Sequence, residues 1–157
     1  MLKTVANALN RVSPAETAEA HCDGPCGVYD PASARIAAEA AVSMTKKIVA
    51  LETPDASNSA AMAAYLNTLS RYVAIKEEQA HLAKEELLVL WTDYFKPPHL
   101  EQYPQLHTTF WKAAKLCSAV KVEVSVEHAG ELMDAIKEIH TIFWATKGRD
   151  VAWYTAS

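Results

Sequence analysis

The chain has 157 residues, half of them hydrophobic and 22% charged, which is the balance of one folded domain with a sizeable core. Its four glycines are too few for a many-turned β sandwich or a glycine-rich phosphate loop. A net charge of −4 offers no basic surplus for a nucleic-acid backbone, and no apolar run reaches the roughly 18 residues of a membrane span. We therefore expect neither a nucleic-acid nor a membrane partner.

Residues 1–20 admit two interpretations. Leu2, Val5 and Leu9 share one helical face, which favours a short amphipathic helix followed by a loop, the simpler interpretation on composition alone. The alternative is a removable leader that ends at Ala20. Polar residues interrupt the apolar core that an export signal requires, so such a leader would not direct secretion and we expect a cytoplasmic protein.

Four helices are predicted beyond residue 30, because apolar residues recur there every three or four positions. They run from Pro31 to about Leu51, from near Ser57 to near Tyr94, from Pro104 to about Val120 and from Glu127 to about Lys147. Asp30 is the expected cap of the first helix, Pro97 ends the second, and Gly148 ends the last. Residues 121–126 alternate like a strand, but with no partner strand they are predicted to be a helix end plus a loop.

The expected fold is therefore all-α, a four-helix bundle with an irregular N-terminal segment at residues 21–31. An irregular α bundle of two helical hairpins is the alternative. Residues 21–157 are expected to form a single domain, in which residues 149–157 are a tail whose Trp153 and Tyr154 can dock on another surface.

Residues 21–31, HCDGPCGVYDP, carry the strongest functional signal in the chain. Two glycines and two prolines favour tight turns, so the thiols of Cys22 and Cys26 can converge on one point. A disulfide, two packed cysteines and a zinc site all fit this spacing. A disulfide would not persist in a reducing compartment, and zinc lacks ligands because the next histidine, His81, is far away in sequence.

The missing ligands can come from the backbone. A cut between Ala20 and His21 would give His21 a free α-amine. That amine, the amide nitrogen of Cys22 and the two thiolates make an N₂S₂ square, with the His21 imidazole within reach of an axial position. Such a set suits Ni(II) or Cu(II) better than zinc. Because thiolates and an anionic amide make a higher oxidation state reachable, the segment favours a redox catalyst that acts on a small molecule.

The same segment resembles the nickel hook of nickel superoxide dismutases, which reads HCxxPCGxYxP, and every fixed position is filled here. The resemblance extends to about residue 147. It continues at residues 34–36 (ARI), 90–99 (LWTDYFKPPH), 103–107 (YPQLH) and 142–147 (IFWATK).

This resemblance implies a precursor whose leader, residues 1–20, is removed by a peptidase after Ala20. It implies a nickel ion held by the amine and imidazole of His21, the amide nitrogen and thiolate of Cys22 and the thiolate of Cys26. The implied reaction is the disproportionation of superoxide to dioxygen and hydrogen peroxide by Ni(II)/Ni(III) cycling. The implied assembly is a homohexamer of four-helix bundles.

Further residue roles come from the same resemblance. Tyr29 matches a tyrosine that covers the open metal face, and Asp23 matches a residue that orders water beside it. Pro25 matches a proline with a cis peptide bond at the turn of the hook. Lys96 and Lys121 match lysines near the access route, and we expect them to steer the superoxide anion by a local positive field.

One departure from the family pattern concerns the hook imidazole. A glutamate and an arginine that brace this imidazole in better-known members fall on Ala37 and Gln79 here. Because outer groups orient metal ligands, the loss puts the orientation of the His21 ring in question. Glu39 and Glu78 are candidate replacements.

The remaining candidates favour structural roles. Glu78 and His81 have the spacing of a di-iron ligand pair, but the second such pair is missing, so a solvated helix face is expected. His99 and His107 are expected to be structural, and Cys117 is expected in the core.

Two alternatives to the enzyme stay open. One is a non-enzymatic protein that buffers or delivers nickel or copper through Cys22 and Cys26. The other is a plain structural bundle with an incidental pair of cysteines.

Overall fold

The computed structural model describes residues 26–156, and among them it contains five helices and no strand. The helices are α1 (Ala32–Val49), α2 (Ser59–Val89), α3 (Pro97–Gln102), α4 (Leu106–Val122) and α5 (Val126–Thr146). A π-helical turn, Leu90–Tyr94, continues α2. The predicted N-terminal helix or leader, and hook residues 21–25 with the predicted cis-proline, lie outside the described residues. None of the described helices is long and apolar enough to cross a membrane.

The four long helices confirm the predicted elements, with bounds that differ by a few residues. The Asp30 carboxylate accepts a hydrogen bond from the N–H of Ala32 at 2.8 Å, which confirms the expected cap of α1. Gly148 has φ +64°, the left-handed conformation of a helix stop. The segment between α4 and α5 is irregular, as expected from the lack of a partner strand.

Helix α3 is not anticipated by the sequence analysis. Pro97 does end the preceding helical segment, but it also begins a new one, since proline at the first helical position loses no hydrogen bond. The N–H of Lys96 donates to Nδ1 of His99 at 3.1 Å and closes the first turn. His99 is therefore structural, as predicted.

The long helices pack as a closed bundle in which α1 contacts α2 and α5, and α4 contacts α2 and α5. This arrangement confirms the four-helix bundle over two separate hairpins. Alanines fill the buried faces of α1 and the second half of α2, and larger residues such as Phe110, Ile136 and Phe143 fill the side of α4 and α5. Small side chains on one side let the helices approach closely while the large ones supply most of the apolar area.

One buried position is occupied by a lysine. Lys76 on α2 is 2% exposed, and its ammonium group donates hydrogen bonds to the carbonyls of Val120, Lys121 and Glu123 at 2.5–2.8 Å. These carbonyls belong to the C-terminal end of α4, where the last helical carbonyls lack intrahelical partners. Burial lowers the pKa of Lys76, and the nearby Glu77 carboxylate opposes that shift. Lys76 thus joins α2 to the end of α4.

Candidate metal centre

The C-terminal half of the hook leads directly into α1. Cys26 is exposed at a turn, and Gly27 adopts φ +65°, a conformation that a residue with a side chain rarely takes. The chain then reaches Pro31, which is buried and whose carbonyl accepts the N–H of Arg35 at 3.0 Å. The turn at Gly27 and the cap at Asp30 together set the position of Cys26 relative to the start of α1.

Tyr29 lies over the junction between α2 and the π-helical turn. Its ring centroid is 5.6 Å from that of Tyr94. Beside it is a cavity of about 180 Å³, lined by Val28, Asp30 and Ser33 on one side and by α2 residues on the other. Tyr29 therefore packs against the end of α2 a few residues after the Cys26 turn.

The π-helical turn is what presents Tyr94 to Tyr29. The N–H of Phe95 donates to the carbonyl of Leu90 at 3.2 Å, one residue further back than in an α-helix. The Tyr94 hydroxyl is 2.7 Å from Oγ1 of Thr146, whose hydroxyl in turn donates to a carbonyl of α5. Sequence reasoning missed this turn, because a π-helical insertion leaves no clear signal in apolar spacing.

The described part of the chain does not complete a metal site by itself. Among residues 26–156, no three side chains of histidine, cysteine, aspartate or glutamate lie close enough together to hold a metal ion. The exposed Cys26 fits a thiolate ligand, whereas the buried Cys117 does not, because burial raises the pKa of its thiol to about 12. The other predicted residues of the site, His21, Cys22 and Asp23, lie outside the described residues.

The two predicted steering lysines lie in different parts of the fold. Lys96 follows the π-helical turn that carries Tyr94, and its ammonium donates to the carbonyl of Asp93 at 2.8 Å. The carbonyl of Lys121 accepts a hydrogen bond from Lys76 on α2. At ~1.5 Å per residue, Lys76 lies about 15 Å along α2 from the residues that line the cavity beside Tyr29. Lys96 therefore lies two residues after Tyr94, which contacts Tyr29, whereas Lys121 lies in the last turn of α4.

The positions of the missing brace are occupied by residues without charge. Ala37 is buried in the core on α1, and Gln79 is half-buried on α2. Of the two candidate replacements, Glu78 is exposed, whereas Glu39 is nearly buried and pairs with Arg35 at 3.3 Å. The Glu39 carboxylate is therefore paired with the Arg35 guanidinium of the same helix.

The other candidate residues have structural surroundings, as predicted. His107 accepts the indole N–H of Trp91 at 2.7 Å. His81 is exposed and pairs with Glu85 of the same helix at 3.2 Å, which confirms a solvated helix face. Cys117 is completely buried in the core.

The described residues define a helical-bundle protein with an exposed cysteine on the turn ahead of its first long helix. Comparison with known proteins makes this specific. The family model described as nickel-containing superoxide dismutase matches residues 16–147. The nickel superoxide dismutases of Streptomyces seoulensis and Streptomyces coelicolor are 44% and 42% identical over 135 residues, which are 86% of this chain and 94% of each relative.

Solved structures agree with this result. A crystal structure of a nickel-containing superoxide dismutase with nickel ligation of the oxidised state is 44% identical and has a TM-score of 0.71, covering 82% of this chain and all of the other. A native nickel superoxide dismutase structure at 1.30 Å has the same TM-score and 41% identity over the same coverage. The chain belongs to the nickel-containing superoxide dismutase family. It is a nickel-dependent oxidoreductase whose substrate is superoxide, and no finding favours the metal-buffering alternative.

Proposed function

We propose that the nickel ion is held at the hook by the α-amine and imidazole of His21, the amide nitrogen and thiolate of Cys22, and the thiolate of Cys26. The observation that carries this assignment is the position of Cys26: its thiol is exposed at a glycine turn just ahead of the capped α1. The absence of any other cluster of three ligands within residues 26–156 supports ligands from the preceding residues.

A nickel ion bound in this way supplies one-electron Ni(II)/Ni(III) chemistry, which converts superoxide to dioxygen and hydrogen peroxide. The chain contributes the surroundings. Tyr29, supported by the ring of Tyr94, restricts access to the hook to small molecules. Asp23 orders water beside it. The His21 imidazole would be one of the groups that hold the nickel ion, without the charged brace that is absent at Ala37 and Gln79.

Assembly of the site depends on removal of residues 1–20 by a peptidase, because only the cut after Ala20 gives His21 an amine. We expect the chain that begins at His21 to bind Ni(II) about 100-fold more tightly than the same chain with one glycine added before His21, about 2.7 kcal/mol. Competition with a chelator measures the affinity. N-terminal sequencing of native protein provides the control, since a native chain that begins at Met1, or equal affinity of the two forms, would refute the amine ligand.

Lys96 is proposed to steer superoxide toward the hook, since the chain as a whole is negative and capture of an anion then needs a local positive field. We expect Lys96→Glu to lower kcat/KM by roughly 3–10-fold at low ionic strength and to flatten its salt dependence. Lys46→Glu is the matched control, because it changes the net charge equally but lies exposed in the last turn of α1, at the opposite end of that helix from the hook. Equal losses in the two variants would show a global charge effect and contradict the assignment.

Lys121 would serve a hook only from a neighbouring subunit, which is compatible with the proposed homohexamer. Sedimentation of the processed chain tests the hexamer directly.

A cytoplasmic location remains a prediction from the interrupted apolar stretch of residues 1–20, and cell fractionation tests it.

A further inference from the structure

The C-terminal tail, residues 149–156, is anchored to the bundle although it lies beyond the family match, which ends at residue 147. The guanidinium of Arg149 lies 4.6 Å from the ring centroid of Trp144. The His140 Nε2 donates to the carbonyl of Val151 at 2.8 Å, and the His140 ring meets Trp153 edge-on at 5.4 Å. The tail therefore follows a defined path across the end of α5.

From α5 the tail crosses to α1. The N–H of Ala156 donates to a carboxylate oxygen of Glu39 at 2.6 Å, and the other oxygen of Glu39 pairs with Arg35 at 3.3 Å. The guanidinium of Arg35 also lies 4.4 Å from the ring centroid of Tyr154. Arg35 and Glu39 are only 5% and 9% exposed, so these charge-assisted contacts are largely shielded from solvent.

The tail also reaches the residue that connects the hook to α1. A small cavity of about 80 Å³ is lined on one side by Asp30, Ala32 and Arg35 and on another by Val151 and Tyr154. Asp30 is the cap of α1 and lies four residues after the proposed ligand Cys26. The tail and the hook therefore meet at the same first turn of α1.

The first turn of a helix is where fraying starts, because its N–H groups have no intrahelical acceptors. Here that turn bears the hook, so movement of the turn displaces the Cys26 thiol. A metal site keeps its geometry only when the elements that carry its ligands are themselves held in place.

We propose that the C-terminal tail is a positioning strap for the metal centre: by holding Arg35 and Glu39 it fixes the first turns of α1 and thereby the hook. This proposal rests on the assignment of nickel to the hook. Tyr154 and Ala156 are positioning residues, since they act on the metal through α1.

The test uses processed, nickel-loaded chains that begin at His21: the full chain, a chain that ends at Gly148, Tyr154→Ala and Tyr154→Phe. For each, Ni(II) affinity by chelator competition, the Ni(III) electron paramagnetic resonance spectrum and the melting temperature are measured. We expect truncation to weaken Ni(II) binding about tenfold, the low end of the losses caused by outer partners of metal ligands. We expect a broadened Ni(III) spectrum with it. We expect Tyr154→Ala to weaken Ni(II) binding about threefold and to broaden the Ni(III) spectrum as well. Tyr154→Phe retains the ring over Arg35, so we expect it to match the full chain in both measurements.

A purely structural tail gives a different pattern. If truncation or Tyr154→Ala lowers the melting temperature while Ni(II) affinity and the Ni(III) spectrum stay unchanged, the strap is refuted. If the truncated chain does not fold, the comparison of Tyr154→Ala with Tyr154→Phe decides. Nickel that stays bound to the full chain after Cys26→Ser would instead refute the hook assignment, which separates the failure of the two proposals.

Discussion

Cys26→Ser is expected to abolish both nickel binding and superoxide disproportionation. A serine hydroxyl stays protonated near neutral pH and is a hard oxygen donor, so it cannot replace the soft thiolate that favours nickel in this kind of site. We expect activity to fall by about 10³-fold or more, which corresponds to about 4 kcal/mol of lost transition-state stabilisation. Nickel content per chain and initial rates of superoxide consumption measure the two effects.

The matched control is Cys117→Ala, which removes the other described thiol. Cys117 is completely buried among apolar residues, so alanine is chosen to avoid placing a hydroxyl in the core. We expect this variant to melt at a slightly lower temperature and to keep its full nickel content and activity. Nickel retained by Cys26→Ser, or lost from Cys117→Ala, would remove the basis for the hook as the metal centre.

Lys76→Met is expected to produce a large loss of stability. Methionine fills a similar volume but leaves the carbonyls of Val120, Lys121 and Glu123 without their donor at the end of α4. Hydrogen bonds to a charged group contribute about 1.5–3 kcal/mol each, and part of this gain offsets the cost of burying the ammonium. We therefore expect a net loss of about 3 kcal/mol in the free energy of unfolding, and roughly 10 °C in melting temperature.

Lys84→Met provides the comparison on the same pair of helices. Lys84 is half-buried on α2 and donates to the hydroxyl of Ser118 on α4 at 3.1 Å. With a single hydrogen bond at stake and the ammonium only partly removed from water, we expect a loss of about 1 kcal/mol or less. Chemical denaturation of the apo chains measures both losses without interference from nickel. Equal losses in the two variants would mean that the three carbonyls find other partners, and the proposed role of Lys76 would be wrong.

Lys76 illustrates what the sequence indicates about a buried position and what it leaves undecided. Lys76, Ala80, Ala83 and Leu87 recur at spacings of three and four and all face the core. A lysine on such a stripe either reaches solvent with its end or finds acceptors inside, and the sequence does not distinguish the two. The acceptors are carbonyls more than forty residues later, at the end of a different helix. Their position depends on how α4 packs against α2.

The sequence by itself determined the four long helices, the cap at Asp30, the stop at Gly148 and the hook motif, because these depend on neighbouring residues. The aspartate, proline and glycine signals act over one or two turns, and the HCxxPCGxYxP pattern is continuous in the chain. The family follows from the same local pattern, and the comparisons confirm it.

Only the tertiary structure decided which distant residues meet. Tyr29 lies against Tyr94 because a π-helical turn shifts the end of α2. Lys76 meets the carbonyl of Lys121 because α4 packs against α2. The tail contacts Arg35 and Glu39 because α1 packs beside α5. The physical reason is common to all three: side-chain contacts across a bundle depend on helix packing and length, to which every residue of the core contributes.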